Sequence, residues 1–226
     1  MDKHLQSTWK QLQLMQYLHD EHFHADVSRM TQSHRVQHLA LHIAKYGCRL
    51  SIAHGGRDYG LFQKILIDSL IVGVSLANVA KVDLSKKLPE VEADTLLEAG
   101  MAYSAIIGEH PMRDEPHNRR RNIVYHIVDV VSKLADLSEK WDHCEGDVRP
   151  RIQELIPQFI MVIVSGLQVY EIGNIETKYL DRILSVEHAN MFFAYKVEKV
   201  HLAKNNILMG YLQELAPKYG LEKVVA

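Results

Sequence analysis

Between residues 118 and 143 the apolar side chains return every three or four places. Ile123, Ile127, Val130, Leu134, Leu137 and Trp141 fall on one stripe, with charged and small polar residues between them. That is the period of an α-helix with a single buried face. The same period runs through most of the chain and predicts helices near residues 4–20, 31–54, 60–81, 89–108, 118–143, 151–171 and 177–214. No two-residue alternation bounded by hairpin turns is present, so no strand is predicted. The segments "HGGRDYG" (54–60), "KKLPEVEAD" (86–94), "EHPMRDEPHN" (109–118) and "CEGDVRP" (144–150) break the pattern and separate the helices. Pro150 suits a first helical position, where its missing N–H costs nothing. The last helix either breaks near Asn205 and Asn206 or continues.

The pattern also repeats. "HRVQHLALHIAKYGCRLS" (34–51) lies without a gap over "NRRRNIVYHIVDVVSKLA" (118–135), setting Arg35 on Arg119, His42 on His126, Ile43 on Ile127 and Leu50 on Leu134. "LIDSLIVGVSLANVAKVDL" (66–84) then lies over "LIPQFIMVIVSGLQVYEIGNI" (155–175), with two extra residues near the end of the second copy. Identities are few, but the order of the segments and their helical phase agree. The expectation is one all-α domain over 1–226: a helical bundle of two pseudo-symmetric hairpins, 31–81 and 118–171, within repeats of about 31–85 and 118–176, plus connecting and terminal helices. Each hairpin buries a face that it cannot bury alone.

The repeat bears on a run of histidines. His34, His38 and His42 stand four apart, on one face of the predicted helix. The outer two lie about 12 Å apart along the axis, too far to share one ion at Zn–N bonds of about 2 Å. In the second copy His34 and His38 become Asn118 and Asn122, and only His42 recurs, as His126. The repeated feature is one histidine per hairpin, either a packed or capping side chain near the bundle centre or part of a ligand site.

Composition narrows the classes further. The 226 residues are 47% hydrophobic and 24% charged, an ordinary globular balance, and the formal net charge of −2 gives no basic field to recruit nucleic acid. Fourteen histidines make the charge rise below neutral pH. Two cysteines, Cys48 and Cys144, suit a reducing compartment and give no disulfide framework or cysteine-rich zinc motif. The N-terminal segment has no signal-peptide apolar run. "ILIDSLIVGVSLANVA" and "LIPQFIMVIVSGLQVY" are shorter than the roughly 20 residues a membrane span needs, and both carry polar groups. A cytoplasmic location without membrane insertion is expected.

"LIDSLIVGVSLANVAKVDL" resembles the third core helix of MazG-like, all-α nucleoside triphosphate pyrophosphohydrolases. In that family an Asp opens such a helix, an apolar run follows, then an Ala-Asn pair and a turn into hydrophobic-Asp-Leu. "HIAKYGCRLSIA" is similar to the family's preceding helix. The resemblance covers about 31–85 and, more weakly, 118–176, so that two copies in one chain would mimic a family dimer. It implies carboxylates, Glu-Glu-x-x-Glu on one helix and Glu-x-x-Asp on the next, holding Mg²⁺ against phosphate oxygens. At the matching positions this chain has Lys45, Tyr46, Arg49, Ile65 and Asp68, then Asp129, Val130, Lys133, Glu154 and Pro157. Only Asp68, Asp129 and Glu154 are acidic, and a lysine or arginine within about 4 Å of a cation opposes it by ~4 kcal/mol per unit charge pair at an effective dielectric near 20. A register one turn later brings in Asp136 and Glu139, in the second copy alone. The expected outcome is a MazG-like fold with a degenerate metal site and no bound Mg²⁺ or other cofactor.

Other segments offer chemistry of their own. "MRDEPHNRRRN" gathers Arg113, Arg119, Arg120 and Arg121 at a helix start, where guanidinium forks and free N–H groups suit phosphate; a solvated surface run is the plainer alternative. Arg35, His42, Arg119, Arg120, Arg121 and His126 make a candidate binding set for a nucleotide or another phosphorylated small molecule between the two helix starts. "HGGRDYG" is a turn without a Walker pattern. Cys48 has no visible activating partner and reads as an inert core residue. Met191, Phe192, Phe193 and Tyr195 read as core or as a homo-oligomer seam. Three functions stay open: a nucleotide-binding protein without the family's hydrolysis, an active pyrophosphohydrolase with an altered site, and a helical module that binds itself or another protein.

Overall fold

The computed structural model describes residues 3–108, 115–170 and 174–188. Every regular element among the described residues is a helix, with no strand: α1 (Lys3–Phe23), α2 (Ala25–Ser28), α3 (Gln32–Gly55), α4 (Tyr59–Val79), α5 (Leu84–Lys87), α6 (Leu96–Ile106), α7 (Pro116–Asp142), α8 (Arg149–Gln168) and α9 (Ile175–His188). The aromatic cluster at 191–195, Arg113 and the expected extension of the last helix to 214 lie outside the described residues.

Helix limits follow local chemistry. The Thr31 hydroxyl caps α3 by accepting from His34 N–H, and the Asp58 carboxylate caps α4 by accepting from Leu61 N–H at 2.9 Å. The helix expected from residue 89 starts only at Leu96. Thr95 and Glu98 form a reciprocal capping box there, and the Glu98 carboxylate also accepts from Asp94 N–H at 2.8 Å. The box satisfies N–H groups that a longer helix would have used internally, and the preceding segment with Pro89 stays irregular. The expected first helix runs on to Phe23, and the short α2 follows.

Helices α3 and α7 pack side by side and antiparallel. Gln37 donates to the Asp142 carboxylate at 2.9 Å, Gly47 faces Ile127, and the rings of His54 and His117 lie 4.6 Å apart. Helices α4 and α8 also run antiparallel: Gly73 meets Phe159 and Ile160, Gly166 meets Leu66, and Gln153 donates to the Ala80 carbonyl at 2.8 Å. A Cβ at Gly73 would stand 2.9 Å from Ile160 Cδ1, so the close approach of these helices requires the glycine. The predicted stripes Leu39/Ile43/Leu50 and Ile123/Ile127/Val130/Leu134 are buried, with Tyr46 partly so at the edge. Helix α1 covers α4, and α6 covers α8. Helix α4 is long and apolar enough to cross a membrane by length and composition, but 67% of its apolar window is buried within the bundle, as a core helix is.

Candidate functional site

A cleft of about 450 Å³ opens between α1, α2, α3 and α4, closed at one side by Ile183 of α9. Its apolar wall includes Leu39, Ile71, Val72 and Val79; its polar wall includes Asp20, Arg35, His38, His42, Asp68 and Lys81. Two of the residues singled out from the repeat, Arg35 and His42, face it. Arg35 stands in the first turn of α3, half-buried, and its Nε is buried without a hydrogen-bond partner among the described residues. The His42 ring lies 4.7 Å from that of His38 and meets Tyr46 edge-on at 6.3 Å. Burial, then the charge of Lys45 and the rings of His38 and His24, push the His42 pKa down to about 4, so the imidazole is neutral at pH 7.

The second member of the repeated pair also lines a cavity. His126, with Asp129, Val130, Gln158 and Met161, borders a shallower space of about 320 Å³ against the end of α6. Arg119, Arg120 and Arg121 do not join either space. Arg119 is buried and donates to Gln168 Oε1 at 2.7 Å and to Ser104 at 3.3 Å, tying α7 to α8 and α6. Arg120 stacks over Tyr59 at 4.2 Å and Tyr170 at 5.5 Å, and Arg121 is exposed. Because α3 and α7 are antiparallel, the starts of these helices lie at opposite ends of the bundle, about 30 Å apart at 1.5 Å per residue. The expected phosphate seat between the two helix starts is therefore not formed.

The remnant carboxylates are likewise dispersed. Asp68 lines the larger cleft, and both its oxygens accept from the Arg182 guanidinium, at 3.1 Å for the longer bond, which holds α9 against α4. Asp129 is exposed and paired with Lys133 at 2.6 Å. Glu154 is exposed on α8 and borders neither space. Three carboxylates that face different surroundings, two of them bound to cations, do not fit the Mg²⁺ of the resembled family. Cys48, expected in the core, is exposed, as is Cys144.

Sequence reasoning missed the contribution of α1. Asp20 accepts from Gln16 at 2.7 Å and from the Ser75 hydroxyl at 2.6 Å, and Gln16 accepts from the fully buried Tyr179 hydroxyl at 2.6 Å. This chain of bonds fixes the carboxylate at the cleft wall beside His19 and His24. The signal was "HDEHFH" (19–24), in which Asp20 and His24 are four apart at the end of an amphipathic helix. Leu41 and Ile52 of α3 and Tyr125 and Val128 of α7 stand exposed. Comparison with protein-family models, with curated proteins and with solved structures finds no match.

Proposed function

We propose that this chain is a cytoplasmic nucleotide-binding protein built on a MazG-like helical plan, without the family's Mg²⁺-dependent pyrophosphohydrolase reaction. The observation that carries the reading is the α1–α4 cleft. It offers an apolar wall large enough for a base and sugar, beside cations suited to phosphate. Arg35 brings an unsatisfied buried donor, and Lys81 a second positive charge. Guanidinium donors to phosphate make charge-assisted hydrogen bonds of about 1.5–3 kcal/mol each. His38 and His42 can donate a ring N–H to a phosphate or ribose oxygen without adding charge at pH 7 in the case of His42. The pairing of Asp68 with Arg182 and of Asp129 with Lys133 supports the absence of the hydrolytic metal centre.

The test is a thermal-shift series with nucleoside di- and triphosphates in the presence of EDTA. A ligand that binds only the folded chain stabilises it by RT ln(1 + [L]/Kd). Millimolar nucleotide should raise Tm, the rise should shrink with added salt, and Arg35→Ala should weaken binding at least tenfold, the equivalent of ~1.4 kcal/mol. Arg121→Ala should leave it unchanged. If no nucleotide shifts Tm, the nucleotide reading fails and a helical interaction module takes its place. Release of pyrophosphate with Mg²⁺, lost in Asp68→Asn, would instead restore the hydrolase.

A further inference from the structure

His19, Asp20 and His24 each direct a ligand atom into one small region of the cleft wall, all within 4.8 Å of one another. His19 is 3% exposed and its Nδ1 lies 3.6 Å from Asp20 Oδ1; the rings of His19 and His24 lie 5.2 Å apart. Metal–ligand bonds of about 2.0–2.2 Å set donor atoms about 3.4 Å apart in a tetrahedron and about 4.2 Å apart across an octahedron. The three atoms are thus close to coordination distance, and His24 is half-buried between α1 and α2.

We propose that His19, Asp20 and His24 form a binding site for one divalent transition metal of the Zn²⁺, Fe²⁺, Mn²⁺ or Co²⁺ class. Two imidazoles and one carboxylate favour these ions over Mg²⁺ or Ca²⁺, which prefer oxygen alone. Asp20 is prepared as a ligand: the bonds from Gln16 and Ser75 hold the carboxylate in place and leave lone pairs on both oxygens. Three protein donors would leave coordination positions open, and all three residues line the cleft.

The metal would also change the charge balance of the cleft. Arg35 and Lys81 are offset there by Asp20 and Glu21, while Asp68 is neutralised by Arg182. A divalent ion on Asp20 turns this part of the wall positive, next to the place assigned above to phosphate. The site itself does not rest on that assignment, because the ion alone is the probe.

The experiment uses the full chain, stripped with chelator and dialysed, and titrated calorimetrically with Zn²⁺ at pH 7. The expected result is one saturable equivalent of micromolar affinity or tighter, weakened at least tenfold by His24→Asn and by Asp20→Asn and unchanged by His34→Asn, an exposed histidine of α3. Asp20→Asn keeps an oxygen for Ser75, and melting of the metal-free variants verifies that they fold. On the unaltered protein, the imidazole ¹⁵N resonances of His19 and His24 should shift on adding Zn²⁺ while that of His34 does not. The proposal is overturned if no saturable equivalent binds, if both variants keep the affinity, or if other rings among the fourteen histidines shift in place of these two. Nucleotide binding in EDTA without Zn²⁺ binding sinks the metal site and leaves the nucleotide reading standing; the reverse pattern does the opposite.

Discussion

Arg119→Met separates a structural arginine from a ligand-binding one. The guanidinium is buried, with a 2.7 Å bond to Gln168 Oε1 and a longer one, 3.3 Å, to Ser104. Methionine keeps much of the aliphatic stem, so the change removes the donors rather than the packing. Gln168 is half-buried, so water partly replaces the lost donor and the cost there lies near the lower end of the ~1–3 kcal/mol for an unsatisfied buried group, while the lost charge-assisted bond is worth about 1.5–3 kcal/mol. Returning a cation to water in the unfolded chain no longer competes, which offsets part of the loss. The net expectation is a destabilisation of about 2 kcal/mol, or a fall in Tm of about 4–8 °C for a chain of this size. Urea unfolding at unchanged m-value measures it, with the exposed Arg121→Met as a control expected within about 0.5 kcal/mol of the parent. Nucleotide affinity, corrected for stability, should stay the same. A variant as stable as the parent but unable to bind nucleotide would refute this reasoning and return Arg119 to the binding site.

Three further outcomes follow from particular contacts. Gly100→Ala would set a Cβ 2.7 Å from the Val164 carbonyl oxygen, where the backbone of α8 cannot yield; a loss near the upper end of the usual ~1–3 kcal/mol for overpacking is expected in urea unfolding, whereas Gly55→Ala, with open space around it, should be neutral or stabilising. Arg182→Leu leaves Asp68 without the cation that joins α9 to α4; the cost should be about 2 kcal/mol, below the ~3–5 for a fully buried pair since Arg182 is partly exposed, and amide exchange in α9 should accelerate. His42 holds its proton far less well folded, at about 4, than unfolded, near 6.5; below pH 6.5 the unfolded chain takes up a proton that the folded chain refuses, so stability should fall as pH drops from 6.5 to 4, and fall less in His42→Gln, as read by Tm against pH.

The apolar stripes made the all-α bundle legible, because each core helix has one continuous buried face and local breakers at its ends. Residues 89–95 misled because their composition tolerates a helix, while the Thr95–Glu98 box fixes the start at Leu96. Arg119 carried a readable signal that its charged neighbours masked: it stands four places before Ile123 and so lies on the buried stripe. Arg35 holds the matching place before Leu39 and borders the cleft instead. The antiparallel packing of α3 and α7 was not legible, since a stripe says which face is buried but not which way its partner runs. The cleft was hidden for the same reason: its wall joins Asp20 of α1 to Ser75 of α4, a pairing that no local spacing encodes.

The most direct test of the central claim is an amide and side-chain NMR titration of the isotope-labelled full chain with ATP in EDTA. Saturable shifts should gather at Asp20, Arg35, His38, His42 and Lys81, around one cleft, and be lost in Arg35→Ala, with Arg121 and His126 unmoved. Shifts centred on residues 119–126, or none at millimolar ATP, would contradict the account.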